Sequence, residues 1–145
     1  MTLATFLHDA GYQRVPLTRS GVGHFHAAGS LNGRPVDILL DTGASSTVVS
    51  VAVAREHGIT LNKLDVRGGG AGGANLEIHA LVGATLSLGE VQPRPRALLA
   101  MDLTHVNQSL AAKGEAPVDV VLGADVFEAG AAVIDYGSSS LFLKP

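Results

Sequence analysis

The sequence predicts a single domain built mostly of short β-strands, with two or three short helices, arranged as a β-barrel or a curled sandwich. The chain has 145 residues, which is enough for one domain with a substantial core. Hydrophobic residues make up 46% of it and charged residues only 16%, a composition that argues against a disordered chain. Glycines separate short apolar runs from residue 15 onward, a pattern typical of strands joined by tight turns.

Local patterns in the first half of the chain predict its elements in order. Residues 3–10 form an amphipathic pattern that predicts a short helix ending at Gly11. Asn32-Gly33 predicts a type I′ hairpin turn, because both central positions of that turn need a positive φ. The returning strand, residues 36–40, leads directly to an aspartate. Ser50 is then expected to cap a short helix.

The second half predicts further strands over 75–81, 84–88 and 98–100. The two prolines at 93 and 95 lack backbone donors, so the start of the strand that follows them is expected at a sheet edge. A helix is predicted from Asp102 or Thr104 to Lys113, then a strand over 118–122 that breaks at Gly123 into a short helix, and strands over 131–137 and 140–144.

Composition narrows the classes of function. The net charge is −3 with no basic stripe, so we expect no nucleic-acid partner. The absence of cysteine excludes disulfides and thiolate metal sites. Residues 1–13 contain no basic region followed by a long apolar stretch, and no apolar run reaches the roughly 18 residues of a membrane span. We therefore expect a cytoplasmic protein without a membrane partner, although a signal already removed would leave no trace.

Residues 37–50, DILLDTGASSTVVS, carry the strongest functional signal. An apolar run reaches Asp41, and Thr42 and Gly43 then allow the chain to turn. This arrangement places a carboxylate on a loop at the end of a strand, where a catalytic acid can act. The structural alternative is an ordinary strand-to-turn junction, where Asp and Gly are common.

Residues 36–50 resemble the active-site segment of the retroviral-type (retropepsin-like) aspartic peptidases, and Ala44 matches the retroviral form of the motif. Val121-Leu122-Gly123 resembles the later strand that lies beside the active-site loop in that family, and residues 66–78 occupy the place of its flap hairpin. The resemblance covers about residues 22–143. It implies a mostly-β, retropepsin-like acid-protease barrel over residues 21–145, after an N-terminal extension, residues 1–20, with a short helix.

The resemblance also implies a chemistry. Aspartic peptidases hold two carboxylates about 3 Å apart that share one proton. The ionised carboxylate takes a proton from water, and the protonated one polarises the scissile carbonyl. Asp41 is thereby implied as the catalytic acid, Thr42 as the tie between two active-site loops, and Gly43 as the residue that closes the turn. The implied partners are a protein or peptide substrate and a second copy of the chain, and no cofactor or metal is implied.

The same resemblance assigns substrate-binding and supporting positions. Ala44 lacks the hydroxyl of the serine found there in pepsin-like enzymes, so we expect a pH optimum less acidic than that of pepsin. Many viral enzymes have a substrate-binding acidic residue where this chain has Ser45, so that contact does not transfer. The substrate and flap positions are Ala44, Ser45, Gly68, Gly69, Gly70, Ala71, Gly72 and Gly73, and the supporting positions are Val121, Leu122 and Gly123.

No second motif within the chain supplies the second carboxylate. Asp135 lies in a similar frame, but Tyr136 is too large for the threonine position and only eight residues follow Gly137. Asp125 is better suited to start a helix. Asp102 and Asp119 lie in no matching frame. We therefore expect an isologous homodimer with one Asp41 from each copy, joined partly by terminal strands such as SLFLK at 140–144.

Three other motifs are weaker evidence of function than the Asp41-Thr42-Gly43 segment. Gly68, Gly70 and Gly73 satisfy G-x-G-x-x-G, but the residues after them alternate like a strand, whereas a dinucleotide site needs a helix there. His24 and His26 share one face of a strand, but no third histidine has a suggestive spacing, so an exposed strand face is expected instead of a metal site. The serines after Gly43 lack the G-x-S-x-G pattern of serine hydrolases.

Two hypotheses follow. The first is a homodimeric aspartic endopeptidase that cleaves extended peptides. The second is a non-catalytic retropepsin-like module for peptide binding or dimerisation, which the glycine-rich flap and Ser45 favour. The intact Asp41-Thr42-Gly43 favours the enzyme, since a module without turnover has no physical need of that carboxylate.

Overall fold

The computed structural model describes residues 1–70, 73–95 and 97–145, and it confirms a mostly-β fold with short helices. The helices are α1 (Leu3–Asp9), α2 (Val51–Glu56), α3 (Thr104–Ala112) and α4 (Ala124–Ala129). The strands are β1 (Gln13–Pro16), β2 (Thr18–Arg19), β3 (Phe25–Leu31), β4 (Arg34–Leu40), β5 (Val48–Ser50), β6 (Thr60–Gly70), β7 (Gly73–Val82), β8 (Leu86–Ser87), β9 (Leu99–Met101), β10 (Val120–Leu122), β11 (Val133–Asp135) and β12 (Ser140–Leu143). None of the described helices is long and apolar enough to cross a membrane.

The described strands form two sheets that do not close into the predicted barrel. The larger sheet has the order β2-β3-β4-β10-β5-β9-β7-β6, with β8 paired to β3. The smaller, terminal sheet has the order β1-β12-β11. The prediction that the strand after the prolines starts at a sheet edge is wrong, because β9 lies between β5 and β7 and its first residue, Leu99, pairs with both. Both prolines precede β9 in the sequence, so they remove no donor from its ladder.

The predicted turn at Asn32-Gly33 is present and sets the register of the β3–β4 hairpin. Asn32 has a φ of 49° and Gly33 a φ of 81°, as a type I′ turn requires. The hairpin then pairs Leu31 with Arg34 and continues to His26 opposite Leu39. The register set by this turn therefore determines where β4 ends, immediately before Asp41. The predicted helix cap at Ser50 is also present, since its Oγ accepts a hydrogen bond from the Val53 N–H at 3.4 Å.

The hydrophobic core lies on one face of the central strands. Ile38 on β4, Val120 on β10 and Val49 on β5 are each 0% exposed and belong to one apolar cluster. Ile38 is paired with Val120, and Val120 with Val49, so the three side chains form a row across the sheet. Leu141 and Leu143 on β12 join the same cluster and attach the terminal sheet to it.

Gly29 in β3 is a position where this packing leaves no room for a side chain. A Cβ there would lie 2.5 Å from both the Ile38 Cδ1 and the Ser87 carbonyl oxygen. We therefore expect Gly29→Ala to lower the free energy of unfolding by about 1–3 kcal/mol, as overpacked substitutions do. Equilibrium denaturation by urea measures the change.

Gly21→Ala is the matched control for this substitution. A Cβ at Gly21 would have no atom within 4 Å, so its unfolding free energy should stay within about 0.5 kcal/mol of the wild type. Equal unfolding free energies for the two variants would contradict the packing described for β3.

Candidate active site

Asp41 is held at the end of β4 by the neighbouring strand β10. The two strands are parallel and pair Leu39 with Val121 and Leu40 with Leu122. The Asp41 N–H then donates to the Leu122 carbonyl oxygen at 2.9 Å, which extends the ladder by one residue. The backbone of the candidate catalytic residue is therefore fixed by sheet pairing, although the residue itself lies in a loop.

The turn after Asp41 orients its carboxylate. The Gly43 N–H donates to the Asp41 Oδ1 at 2.9 Å, and the Ala44 N–H donates to the Asp41 carbonyl oxygen at 3.1 Å. A Cβ at Gly43 would lie only 3.3 Å from that Oδ1, so glycine allows the close approach. Asp41 is half-buried, whereas Thr42 and Ser45 are exposed. Within the described part of the chain, the Thr42 hydroxyl has no hydrogen-bond partner.

Gly123 interlocks β10 with the same turn. A Cβ at Gly123 would lie 2.7 Å from the Ser46 carbonyl oxygen and 2.8 Å from that of Ala44. The next residue, Ala124, donates its N–H to the Ala44 carbonyl oxygen at 2.7 Å. The structure therefore brings together two of the predicted groups, the Asp41 turn and the Val121–Gly123 strand end.

The sequence interpretation missed a buried lock between these two segments. Thr47 is 0% exposed, and its hydroxyl donates to the Asp125 Oδ1 at 2.8 Å and accepts from the Gly123 N–H at 3.0 Å. Asp125 lies in the first turn of α4, as predicted, and its Oδ1 also accepts the Val126 N–H. A hydroxyl residue within the apolar run after the motif was the available signal, since a buried hydroxyl needs a partner.

The other aspartates singled out by the sequence have different structural partners. Asp102 accepts hydrogen bonds from the Thr104 hydroxyl and from the Thr104 N–H, which hold the pKa of Asp102 below its usual range. Asp135 accepts from the Ser138 hydroxyl and the Gly137 N–H in the β11–β12 turn, and these bonds lower the pKa of Asp135. Asp119 accepts the Asp37 N–H at 2.8 Å. None of these described contacts brings a second carboxylate to Asp41.

The predicted flap positions that the structure describes lie in the β6–β7 hairpin. Gly68, Gly69 and Gly70 are the last residues of β6, and Gly73 begins β7, while Ala71 and Gly72 lie outside the described residues. The structure shows strand pairing here, with Gly70 opposite Gly73. The segment after Gly73 is a strand, so the G-x-G-x-x-G pattern lacks the helix that a dinucleotide site needs.

The β6–β7 hairpin belongs to the same sheet as β4, the strand that leads to Asp41. Its strand β7 pairs with β9, and β9 pairs with β5, which follows the Asp41 turn. A Cβ at Gly68 would lie 2.9 Å from the Ile78 Cδ1 and 3.1 Å from the Met101 Cε, so β6 packs closely here. Lys63 and Glu77 form an ion pair across the hairpin at 3.3 Å, and the hydrogen bond from Lys63 lowers the pKa of Glu77.

The histidines do not form a metal centre in the described structure. His26 pairs with Asp37, with 2.9 Å between the His26 Nδ1 and the Asp37 Oδ1. Among the described residues, no three histidine or carboxylate side chains are placed to hold a metal ion. The His26–Asp37 pair lines an open cavity of about 540 Å³ that also includes Glu115 and Asp119 but not Asp41.

These observations define an aspartate on a glycine turn, interlocked with a second strand end, in a sheet that continues into a long hairpin. A family described as aspartyl protease matches residues 27–126. This match spans well over half of the 145 residues, and the chain belongs to the aspartyl protease family. No curated protein sequence gives a significant match.

Solved structures show the same fold. A retropepsin-like aspartic protease from Rickettsia conorii has a TM-score of 0.55 and 16% identity, with 91% of this chain and 90% of that chain covered. EIAV protease complexed with the inhibitor HBY-793 has a TM-score of 0.54 and 21% identity over 77% of this chain and 91% of that chain. The retroviral protease-like domain of Ddi1 from Leishmania major gives 0.52 and 17%, with coverages of 81% and 86%. The chain therefore has a retropepsin-like fold.

The Thr47 lock yields a stability prediction. Thr47→Val keeps the shape of the side chain but removes the hydroxyl that accepts from the Gly123 N–H and donates to the Asp125 carboxylate. We expect the unfolding free energy to fall by about 1–3 kcal/mol, because buried polar groups lose their bonds. Thr60→Val, at an exposed site in β6, is the control and should change it by less than about 0.5 kcal/mol. Equal effects of the two substitutions in urea denaturation would contradict the lock.

Proposed function

We propose that the protein is an aspartic endopeptidase whose single active site forms between two copies of the chain. The observation that carries this proposal is one Asp41-Thr42-Gly43 turn per chain, built as a half-site. The turn holds a half-buried carboxylate next to an exposed threonine hydroxyl. An isologous two-fold axis through this turn would place each Asp41 beside its equivalent.

The chemistry then follows from two adjacent carboxylates. At a separation of about 3 Å they cannot both ionise, so they share one proton. The ionised Asp41 takes a proton from a water molecule, whose oxygen attacks the scissile carbonyl carbon. The protonated Asp41 of the partner donates a hydrogen bond to the carbonyl oxygen. The C–N bond of the tetrahedral intermediate then breaks as the carboxyl group that took the proton from water gives it to the leaving nitrogen, and the pair again holds one proton. The two protonation steps belong to the pair and not to either residue.

The supporting residues have corresponding roles in this proposal. The Gly43 N–H fixes one oxygen of its own Asp41 carboxylate, so the other oxygen is left to face the water and the partner. Thr42, exposed and without a bond in the described chain, is available to bind across the two-fold axis. Val121, Leu122 and Gly123 hold the turn in place.

The substrate would bind as an extended strand between the Asp41 turn and the β6–β7 hairpin. Main-chain hydrogen bonds would give affinity, and pockets for alternate side chains would give specificity. The hairpin residues Gly68–Gly70 and Gly73, together with the predicted positions Ala71 and Gly72, would form the flap, and a flap must move to admit substrate. Ala44 and exposed Ser45 would lie at the edge of the cleft.

The terminal sheet changes which strand can join two copies. SLFLK contributes β12, but β12 is the central strand, paired on one side with β1 and on the other with β11. A partner strand can therefore add only at β1 or β11. Pro16 removes one backbone donor from β1, as is common on protected edges. We therefore assign β11 as the edge strand that pairs with the second copy of the chain.

The terminal sheet also lies at the correct end of the molecule for this role. Phe25 precedes His26, whose register partner is Leu39, so Phe25 lies level with the last residue of β4, just before Asp41. The Phe25 ring is 4.7 Å from the ring of Tyr136 in the β11–β12 turn. Contacts through β11 would therefore be made at the end of the sheet that carries the catalytic turn.

Asp41→Asn is the direct test of catalysis. The substitution keeps the size of the side chain but removes the proton exchange on which the mechanism depends, so cleavage should fall by at least roughly 10²–10⁴-fold. Wild type and variant are incubated with a complex peptide mixture from about pH 3 to about pH 8, and cleavages are identified by mass spectrometry. The wild type should be most active at a less acidic pH than pepsin.

Asp9→Asn, at an exposed site in α1, is the control and should retain activity. Turnover by Asp41→Asn equal to that of the wild type would exclude the aspartyl mechanism. If the wild type and both variants cleave no peptide at concentrations where the chain is dimeric, the result would favour the non-catalytic binding or dimerisation module. The exposed Ser45 is the observation that favours this second candidate, because it supplies no carboxylate for binding substrate backbone.

A further inference from the structure

The open cavity of about 540 Å³ that the His26–Asp37 pair lines has no role in the chemistry proposed for Asp41. Side chains alternate along β4, so Asp37 lies on the same sheet face as Asp41, which follows it at a distance of roughly 13 Å. Residues of β3 and β4 line one side of the cavity, and residues of the segment between α3 and β10 line the other. Its volume is in the range of small-ligand sites.

The polar side chains that line this cavity are mainly hydrogen-bond acceptors. His26 and Asp37 are diagonal neighbours on β3 and β4, with 2.9 Å between the His26 Nδ1 and the Asp37 Oδ1. An ionised carboxylate only accepts hydrogen bonds, so the His26 Nδ1 carries the proton and the Nε2 of the neutral ring is left as an acceptor. Glu115 and Asp119 add two further carboxyl groups to the lining.

Glu115 has an oxygen atom that needs a donor. Its Oε1 is buried and has no hydrogen-bond partner among the described residues, whereas buried polar atoms are normally bonded. Asp119 accepts the Asp37 N–H through its Oδ2 at 2.8 Å. In the described part of the chain, neither lysine nor arginine lines the cavity. The site therefore offers negative charge and an unbonded acceptor, which together call for a cation that donates hydrogen bonds.

Backbone hydrogen bonds hold these carboxyl groups in place. The Asp119 N–H donates to the Asp37 carbonyl oxygen at 3.0 Å, so Asp119 is tied to β4 through both its backbone and its side chain. The Glu115 N–H donates to the carbonyl oxygen of Leu110 in α3 at 2.9 Å. The acceptors are thus positioned by strand and helix before a ligand binds, which reduces the entropic cost of binding.

The lining favours an organic cation over a metal ion. Among the described residues, no three histidine or carboxylate side chains are placed to hold a metal ion. A guanidinium group carries several N–H donors in a planar fork, so it can bond to acceptors from different elements, and it loses water more readily than an ammonium group. Ala28, Pro35 and Ala116 give the cavity apolar surface against which the aliphatic part of an arginine side chain can pack.

We propose that this cavity binds the guanidinium group of an arginine side chain within a peptide, with Glu115, Asp119 and Asp37 as its acceptors. An arginine in a peptide suits the site better than free arginine, because no described lysine or arginine lines the cavity to pair with the carboxylate of a free amino acid. The cavity does not include Asp41, so this binding does not require peptidase activity.

The test is a titration of the full chain with N-acetyl-arginine N-methylamide, followed by two-dimensional amide NMR. Amide signals of residues that line the cavity should shift. The citrulline analogue has the same shape without the charge, and it should bind about 10-fold or more weakly because the charge-assisted hydrogen bonds are lost. Glu115→Gln should weaken binding of the arginine compound by about 10-fold. Glu128→Gln, at an exposed site in α4, is the matched control and should leave its Kd unchanged.

Each remaining outcome overturns a defined part of the proposal. Equal Kd values for the arginine and citrulline compounds would exclude a cation site, and this comparison needs no variant, so it decides the question even if Glu115→Gln does not fold. Equal binding of N-acetyl-lysine N-methylamide would exclude a preference for guanidinium. Binding of free L-arginine as tight as that of the capped compound would exclude the peptide as the required source. None of these measurements involves cleavage, so their outcome is independent of the test of the peptidase.

Discussion

The close contact between Gly123 and the Asp41 turn is the constraint on which the rest of the site depends. The carbonyl oxygens of Ala44 and Ser46 lie where a side chain at position 123 would begin, so only glycine allows β10 to end there. That approach lets β10 pair in parallel with β4 and hold the Asp41 backbone. Thr47 then closes the junction with a hydroxyl that is fully engaged with Asp125 and the Gly123 N–H. A loop residue thereby gains the positional precision of a sheet.

The central sheet uses its two faces for two purposes. On one face, the fully buried row of Ile38, Val120 and Val49 supplies the main hydrophobic core. On the other face, the row that includes Leu39 and Val121 carries the candidate site and is partly covered by α3. Residues along each strand therefore alternate between the hydrophobic core and the face that carries Asp41, and replacements one residue apart should affect different properties.

Local signals made part of this structure predictable. Asn32-Gly33 determined its turn because few other residues tolerate the required φ, and Ser50 marked a helix start. Asp41-Thr42-Gly43 and Val121-Leu122-Gly123 indicated the family because the motifs are short and contiguous. The family and fold comparisons agree with that interpretation.

Features that depend on distant pairing were not predictable in the same way. Strand β6 was missed because Leu61, Leu64 and Val66 do not alternate cleanly and glycines follow. The interior position of β9 and the central position of β12 depend on partners far along the chain. The Thr47–Asp125 hydrogen bond joins residues 78 positions apart, so the sequence indicates that a buried Thr47 hydroxyl needs a partner but does not identify that partner. The proposed sharing of one site by two chains was inferred from the single Asp41-Thr42-Gly43 motif in the chain.

The most direct test of the shared site mixes wild-type and Asp41→Asn chains in equal amounts and allows the dimers to exchange before peptide cleavage is measured. If each active site needs one Asp41 from each copy, random pairing leaves about a quarter of the dimers active. The activity should then be about a quarter of that of the wild type at the same total concentration. Retention of about half of that activity would show that each chain has a complete site of its own, and would contradict the account.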